Sequence, residues 1–105
     1  MSNSGLSIKP EAIREMAFGS IAATYAELGS VLGHDCFRVS VHNTCDTDMY
    51  ISVDGVDDHY RIAASSGQVF DEKTNDMYRK AGTQFHVRYV SAPSEGTVWI
   101  QAEYT

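Results

Sequence analysis

Two stretches decide the fold: C-F-R-V-S-V-H-N at residues 36–43 and M-Y-I-S-V-D-G at residues 49–55. In both, apolar and polar residues alternate with a period of two, which is typical of a β-strand with one buried and one wet face. The Asp54-Gly55 pair that ends the second stretch is a strong signal for a hairpin turn. These two stretches therefore predict antiparallel strands.

The same alternation recurs in three later runs, at residues 60–64, 85–89 and 98–102. Clusters of turn-forming residues lie between the runs, including Ser65-Ser66-Gly67 and Pro93-Ser94-Glu95-Gly96. Short strands at this spacing predict a mostly β protein, an antiparallel β-sandwich of the jelly-roll or immunoglobulin-like type. The inward phase of the runs predicts a core made of Phe37, Val39, Val41, Ile51, Val53, Ile62, Phe85, Val87, Val98 and Ile100.

The N-terminal part of the chain follows a different pattern. Residues 1–10 are mostly polar, and we expect a flexible arm that a neighbouring subunit orders, followed by a single β-sandwich domain over residues 11–105. Pro10 and Glu11 suit the first turn of a helix, and Ile13, Met16 and Ala17 share one helical face, so a short helix is predicted there. Residues 21–32 fit a strand or a helix, and the strand is favoured.

Length and charge exclude several classes of function. The chain has 105 residues, enough for one domain, and a formal net charge of −6. Nucleic-acid binding depends on cations that neutralise phosphates, and Arg79-Lys80 is the only basic pair, so no specific nucleic-acid partner is expected. The longest uncharged apolar stretch, residues 16–25, is too short to cross a bilayer, and residues 1–7 do not resemble a signal peptide.

Few residues offer catalytic or metal-binding chemistry. Cys36 and Cys45 lie at opposite ends of one predicted strand, too far apart to bridge, and predict free thiols in a reducing compartment. Zinc spacing and the calcium-loop pattern are both absent from the sequence, so neither a metal nor a cofactor is expected. The sharpest enzyme hypothesis pairs Cys36 with His34, His42 or His59. Since no catalytic motif surrounds Cys36, a non-enzymatic protein is favoured.

Large outward-facing side chains carry more information. The alternation places Trp99, Tyr50, Arg38, Arg61 and Arg88 on the face opposite the aliphatic core. Tryptophan, tyrosine and arginine are enriched in protein interfaces, where they supply the anchoring contacts. We therefore predict that these five residues form an interface with another protein. The alternative is that a second layer of the same chain covers that face.

An ordered set of motifs adds a family resemblance. The pattern N-T-x-D-x-D-x-Y-I-S-x-D-G at residues 43–55 is followed by Q-V-F-D at 68–71, G-T-Q-F at 82–85 and A-P-S-E-G-T-V-W-I at 92–100. Together these resemble small virion-associated proteins encoded in the structural gene clusters of tailed bacteriophages, over most of the chain from Phe18 onward. The resemblance implies a β-sandwich subunit present in many copies, with no catalytic or ligand-binding residues to carry over.

The function expected from the sequence is a structural role in the virion. The leading hypothesis is a homo-oligomeric subunit at the head–tail connection or collar, made in the bacterial host cytoplasm and contacting portal, tail-adaptor or capsid proteins. A capsid decoration or cement protein is the first alternative. The second is a soluble carbohydrate- or ligand-binding β-sandwich in which Trp99 and Tyr50 are stacking platforms.

Overall fold

The computed structural model describes residues 8–71 and 79–105. Regular structure in these ranges consists of one 3-10 turn at Phe18–Ser20 and nine strands: β1 Lys9–Pro10, β2 Arg14–Ala17, β3 Ala26–Glu27, β4 Arg38–Asn43, β5 Met49–Ser52, β6 Tyr60–Ile62, β7 Ser66–Asp71, β8 His86–Tyr89 and β9 Thr97–Tyr104. None of the described segments is a helix long and apolar enough to span a membrane.

The strands form two antiparallel sheets that enclose one core. Sheet 1 has the order β1–β9–β4–β7, and β2 pairs with β9 on the same side as β1. Sheet 2 has the order β3–β8–β5–β6. The prediction of a mostly β, two-sheet antiparallel fold is confirmed. Its assignment to a jelly-roll or immunoglobulin-like type stays a prediction.

The core between the sheets is close to the predicted one. Nine of the ten predicted side chains are buried, while Val53 is half-buried and packs against the others. Complete burial of an aliphatic or phenyl side chain contributes about 1.5–3 kcal/mol, so these residues account for much of the driving force. Irregular segments add further buried side chains that the strand pattern did not identify: Ile21, Leu28, Leu32, Cys36 and Cys45.

The predicted N-terminal helix is wrong. Arg14–Ala17 is strand β2, whose four residues pair with Ile100 to Thr97 of β9. A helix this short gains few internal hydrogen bonds, whereas the same residues form a ladder along an edge of β9 that would otherwise be open. Within residues 21–32, only Ala26–Glu27 is a strand, and it pairs with β8.

The predicted flexible arm is described only at its end. Residues 1–7 lie outside the described part of the chain. Lys9 and Pro10 pair with Tyr104 and Glu103 of the same chain. The end of the predicted arm is therefore paired within its own chain, and the ordering of the arm by a neighbouring subunit stays a prediction.

Strand β7 begins where the sequence predicted a turn. Ser66 and Gly67 pair with Asn43 and His42 of β4. A Cβ atom on Gly67 would lie 3.0 Å from the Val41 carbonyl oxygen and 3.1 Å from His42 Nδ1. Glycine at this position thus leaves room for the imidazole of His42 to lie against β7, and does not mark a chain reversal.

The Asp54-Gly55 signal does connect two adjacent strands, β5 and β6. The connection spans residues 53–59 and is longer than a two-residue hairpin. The Asp54 Oδ1 atom accepts hydrogen bonds from the backbone N–H groups of Val56 (2.8 Å) and Asp57 (3.0 Å), and Gly55 has a φ of +77°. An Asx-type turn at Asp54 therefore builds the loop.

Candidate protein-interaction surfaces

The five predicted interface residues lie on two surfaces, not one. Trp99 and Arg38 face outward from sheet 1, whereas Tyr50, Arg61 and Arg88 face outward from sheet 2. The expectation of a single shared face is wrong, because alternation separates inward from outward positions but does not say to which sheet a strand belongs.

The outer face of sheet 2 carries a tyrosine–arginine cluster, defined here as Tyr25, Tyr50, Arg61 and Arg88 with the carboxylates of Asp48 and Asp58. Tyr50 is the cross-strand partner of both arginines. The guanidinium carbon of Arg88 lies 4.4 Å from the Tyr50 ring centroid, and that of Arg61 lies 5.5 Å from it. Two cations therefore share one aromatic ring, an arrangement that gains cation–π energy.

Carboxylates hold these arginines in place. Arg88 donates to Asp58 at 2.8 and 3.2 Å, and Arg61 donates to Asp48 at 3.0 Å. The hydrogen bonds from Arg88 and from the Tyr25 hydroxyl lower the pKa of Asp58. Burial, followed by the hydrogen bond to Asp58, raises the pKa of Tyr25 to about 12. The two arginines and two carboxylates of the cluster are thus charged, and the Tyr25 hydroxyl is protonated, over the physiological pH range.

Trp99 occupies the centre of the outer face of sheet 1. Its indole stacks on the imidazole of His42, the paired residue of β4, with ring centroids 5.0 Å apart and planes 13° apart. His42 Nε2 lies 3.2 Å from the Ser40 hydroxyl oxygen, which fixes the imidazole. On its other side Trp99 pairs with Glu15 of β2. The indole therefore stands between a histidine and a carboxylate.

A depression of about 320 Å³ lies beside the indole, lined by Ile13, Glu15, Thr44, Thr97 and Trp99. His42 is not part of its lining, so the depression lies on the side of Trp99 that His42 does not cover. Glu15 is exposed, and Ile13 is 55% exposed. This open place on the surface of sheet 1 could receive a side chain from another molecule.

Arg38 lies apart from Trp99 on the same face. It pairs with Glu103 on β9, four residues from Trp99, which corresponds to roughly 13 Å along the strand. The Arg38 guanidinium donates to the Glu103 carboxylate at 2.9 Å and lies 5.4 Å from the Phe37 ring centroid. The structure therefore does not bring Arg38 into contact with the Trp99 depression.

A buried ion pair near the N-terminus was not identified from the sequence. The carboxylate of Glu11 accepts hydrogen bonds from Arg14 Nη2 (2.7 Å) and the Gly33 N–H (3.1 Å), and contacts His34 Nδ1 (2.7 Å). Arg14 also donates to the carbonyl oxygens of Ser30 and Val31. The pair ties β2 to the loop before β4. The sequence does not predict this ion pair, because the Arg14 side chain faces inward only if residues 14–17 form a strand.

The Cys–His pair of the enzyme hypothesis is not assembled. Burial raises the pKa of the Cys36 thiol to about 11, which disfavours the thiolate that a nucleophile needs. The His34 ring contacts Glu11 and stacks on Tyr104, and His42 stacks on Trp99. His59 Nδ1 accepts the Val53 backbone N–H. Each histidine therefore has a structural partner other than Cys36.

One group of described residues has the composition of a metal site: Asp54, Asp57 and His59 place ligand atoms within 4.8 Å of one another. All three are exposed. The backbone N–H groups of Asp57 and Val56 lower the pKa of Asp54 to about 2. These hydrogen bonds explain the carboxylate as part of the β5–β6 turn, and the absence of a bound metal stays a prediction.

No protein-family model and no curated protein matches this chain. Among solved structures, it is similar to a chain of the cyanophage Pam1 capsid asymmetric unit, with a TM-score of 0.60 and 14% identity over 99% of this chain and 91% of that one. The SPBc2 prophage-derived protein YomS gives a TM-score of 0.52 at 15% identity, covering 97% and 100% of the two chains. A chain of the disulfide-linked pili that form Bacillus endospore appendages gives 0.50 at 15% identity, covering 100% and 94%.

Proposed function

We propose that this chain is a non-enzymatic structural subunit of a phage virion that acts through protein–protein contacts. The observation that carries the proposal is the end-to-end similarity in fold to a chain of a cyanophage capsid asymmetric unit. The alignment covers nearly all of both chains, so that capsid chain consists almost entirely of this one fold. The phage resemblance of the sequence motifs supports the same assignment independently.

The surfaces of the molecule support a role in assembly. Large aromatic and arginine side chains lie on both outer faces, Trp99 and Arg38 on sheet 1 and the tyrosine–arginine cluster on sheet 2, and these residue types are enriched at interfaces. A two-sided subunit can contact neighbours on both sides, as a shell or ring requires. The similarity to an appendage subunit agrees with a fold suited to repeated contacts. The high pKa of Cys36 supports a protein without a reactive nucleophile.

Two positions in the virion follow from this proposal. The similarity to a chain of a capsid asymmetric unit favours a place in the capsid shell, where the protein would act as a decoration or cement subunit. The head–tail connection or collar, expected from the sequence, is the second candidate. Both positions fit a homo-oligomer that contacts other virion proteins. They differ in copy number, because a decoration protein covers the shell and a connector forms one ring.

The proposal is tested on particles purified from a host that carries this gene in its phage or prophage. Mass spectrometry of gradient-purified particles should detect the chain, with a host cytosolic protein of similar size as the contamination control. A copy number close to that of the major capsid protein supports decoration, and one far below it supports a head–tail ring. Recovery of the chain only in the soluble fraction would overturn the proposal.

A further inference from the structure

On the outer face of sheet 2, each arginine lies over a tyrosine ring and pairs with a nearby carboxylate. Arg88 lies over Tyr50 at 4.4 Å and over Tyr25 at 5.5 Å while it pairs with Asp58. Arg61 lies over Tyr50 while it pairs with Asp48. A guanidinium in this arrangement satisfies both the negative ring face and the carboxylate.

The outer face of sheet 1 repeats the arrangement without the cation. Trp99 is the aromatic ring, and Glu15, its cross-strand partner, is the carboxylate. In the described part of the chain, no arginine or lysine lies over the indole, and no hydrogen bond or ion pair engages the Glu15 side chain. Arg14, the nearest cation in sequence, points to the other side of β2 and is buried with Glu11.

The charge of the site decides which ligand fits it. Trp99 has the strongest cation–π affinity among aromatic residues, and an unpaired carboxylate in a chain of net charge −6 attracts a cation. A sugar would need several free polar groups to orient its hydroxyls. The Thr44 hydroxyl is already engaged with the Thr97 backbone N–H (2.9 Å) and carbonyl (3.1 Å). The depression therefore favours a cation over a saccharide.

We infer that the Trp99–Glu15 depression binds a cationic side chain, an arginine or lysine, that a neighbouring protein subunit presents. The guanidinium or ammonium group would lie against the indole face that His42 leaves open and pair with the Glu15 carboxylate. Ile13 would pack against the aliphatic part of that side chain. The identity of the neighbour as a virion protein rests on the proposed function, whereas the chemistry of the depression does not.

The isolated chain allows a direct test, because Trp99 is its only tryptophan and its fluorescence reports on the surroundings of the indole. The probe is N-acetyl-arginine amide, with the neutral N-acetyl-citrulline amide as its matched control. We expect saturable quenching by the arginine compound at roughly millimolar concentrations or above, weakened by added salt. The citrulline compound should produce little change at equal concentration.

Variants assign the effect to the two residues. Glu15→Gln should weaken arginine binding about fivefold, as expected for loss of one exposed ion pair. Glu27→Gln, an exposed glutamate on β3 of sheet 2, is the matched control and should leave binding unchanged. In Trp99→Leu, the arginine-dependent NMR shifts of the Glu15 and Thr97 amides should vanish, while dispersed spectra verify the fold.

Three outcomes would overturn the inference: equal quenching by arginine and citrulline, no effect of Glu15→Gln, or saturable quenching by methyl β-glucoside alone. The last of these would make the depression a saccharide site. The proposed function fails separately, when the chain is absent from purified particles. If the arginine compound does not bind but the chain is present in purified particles, only the inference about the Trp99–Glu15 depression is overturned.

Discussion

Arg14 and Glu11 form an ion pair 2.7 Å long whose side chains are only 7% and 6% exposed. Both charges are removed from water, and each is compensated by the other and by backbone groups of residues 30–33. Removal of one partner from a buried pair leaves an uncompensated charge, which costs far more than the pair contributes. This relationship gives the first prediction.

Arg14→Met should lower the free energy of unfolding by about 3 kcal/mol, because the Glu11 carboxylate loses its cation and three carbonyl groups lose their donor. The double variant Arg14→Met/Glu11→Gln should recover part of the loss, since no charge is left behind. Urea unfolding measures both. The control is Arg61→Met, whose ion pair with Asp48 is exposed and screened by solvent, so its loss should change stability little. Equal losses at Arg14 and Arg61 would contradict the prediction.

Stability should decrease in acid as two carboxylates become protonated. Burial alone would raise the pKa of Glu11, but the hydrogen bonds from His34, Arg14 and Gly33 bring it below 4.5. The backbone N–H groups of Asp57 and Val56 lower the pKa of Asp54 from 3.8 to about 2. Because both are lower when folded, their contribution is complete above about pH 5 and is lost as the pH falls toward 2.

Asp54→Asn checks this pH dependence. The variant should flatten the curve of unfolding free energy against pH between about pH 4 and pH 2, and leave the slope at pH 6 unchanged. Urea unfolding at half-unit pH intervals gives the curve. A curve of unchanged shape would show that the turn at Asp54 does not couple protonation to folding.

Adjacent residues of β9 should differ in their effect on folding. Ile100 is fully buried in the core, so Ile100→Ala should cost about 2–5 kcal/mol. Trp99 faces outward but is half-buried and stacks on His42, so Trp99→Ala should cost about 1–2 kcal/mol, less than Ile100→Ala. Thermal and urea unfolding of the two variants test the assigned strand phase. An unfolded Trp99→Ala protein would show that the indole belongs to the core.

The two thiols should be unreactive until the chain unfolds. Cys36 and Cys45 are free and buried, and burial raises the pKa of both. Folded protein at pH 8 should therefore react slowly with a thiol reagent, and both cysteines should react at once in denaturant. Rapid labelling of folded protein would indicate local opening around β4, and only one reactive thiol after denaturation would refute the free state.

The tyrosine–arginine cluster should contribute to assembly more than to folding. Tyr50→Ala removes the ring that both arginines share, and each exposed cation–π contact contributes only about 0.5–1 kcal/mol. The variant should remain folded and lose incorporation into particles, measured by co-sedimentation. Lys80→Ala, an exposed residue outside the cluster, is the control. Normal incorporation of Tyr50→Ala would exclude this face as an interface.

The sequence was informative wherever one strand face is buried and the other is wet. Alternation from residue 37 onward identified the phase of β4, β5, β6, β8 and β9, because each of these strands meets the core on one side only. It also placed Trp99 and Tyr50 outward. It could not pair the strands into sheets, because sheet membership depends on contacts between segments distant in the sequence.

The remaining errors have local causes. Gly67 was predicted to lie in a turn, yet it lies within β7, where it leaves room for the His42 side chain. Residues 13–17 have too few apolar positions to distinguish a helix from a strand, and β9 decides between them. The sequence does not indicate Glu15 as a site residue, because Glu15 lies beside Trp99 only when β2 and β9 are paired.

Strand β9 has a consequence for the order in which the protein can fold. It lies between β1–β2 and β4, so sheet 1 is joined through the last strand of the chain, and Lys9 pairs with Tyr104 across nearly the whole sequence. Such distant pairing makes folding slow. During synthesis, β2 and β4 have no common partner until residues 97–104 leave the ribosome. Chains stalled before Thr97 should therefore remain protease-sensitive and depend on chaperones, and emergence of residues 97–104 should convert them to the resistant form in one cooperative step.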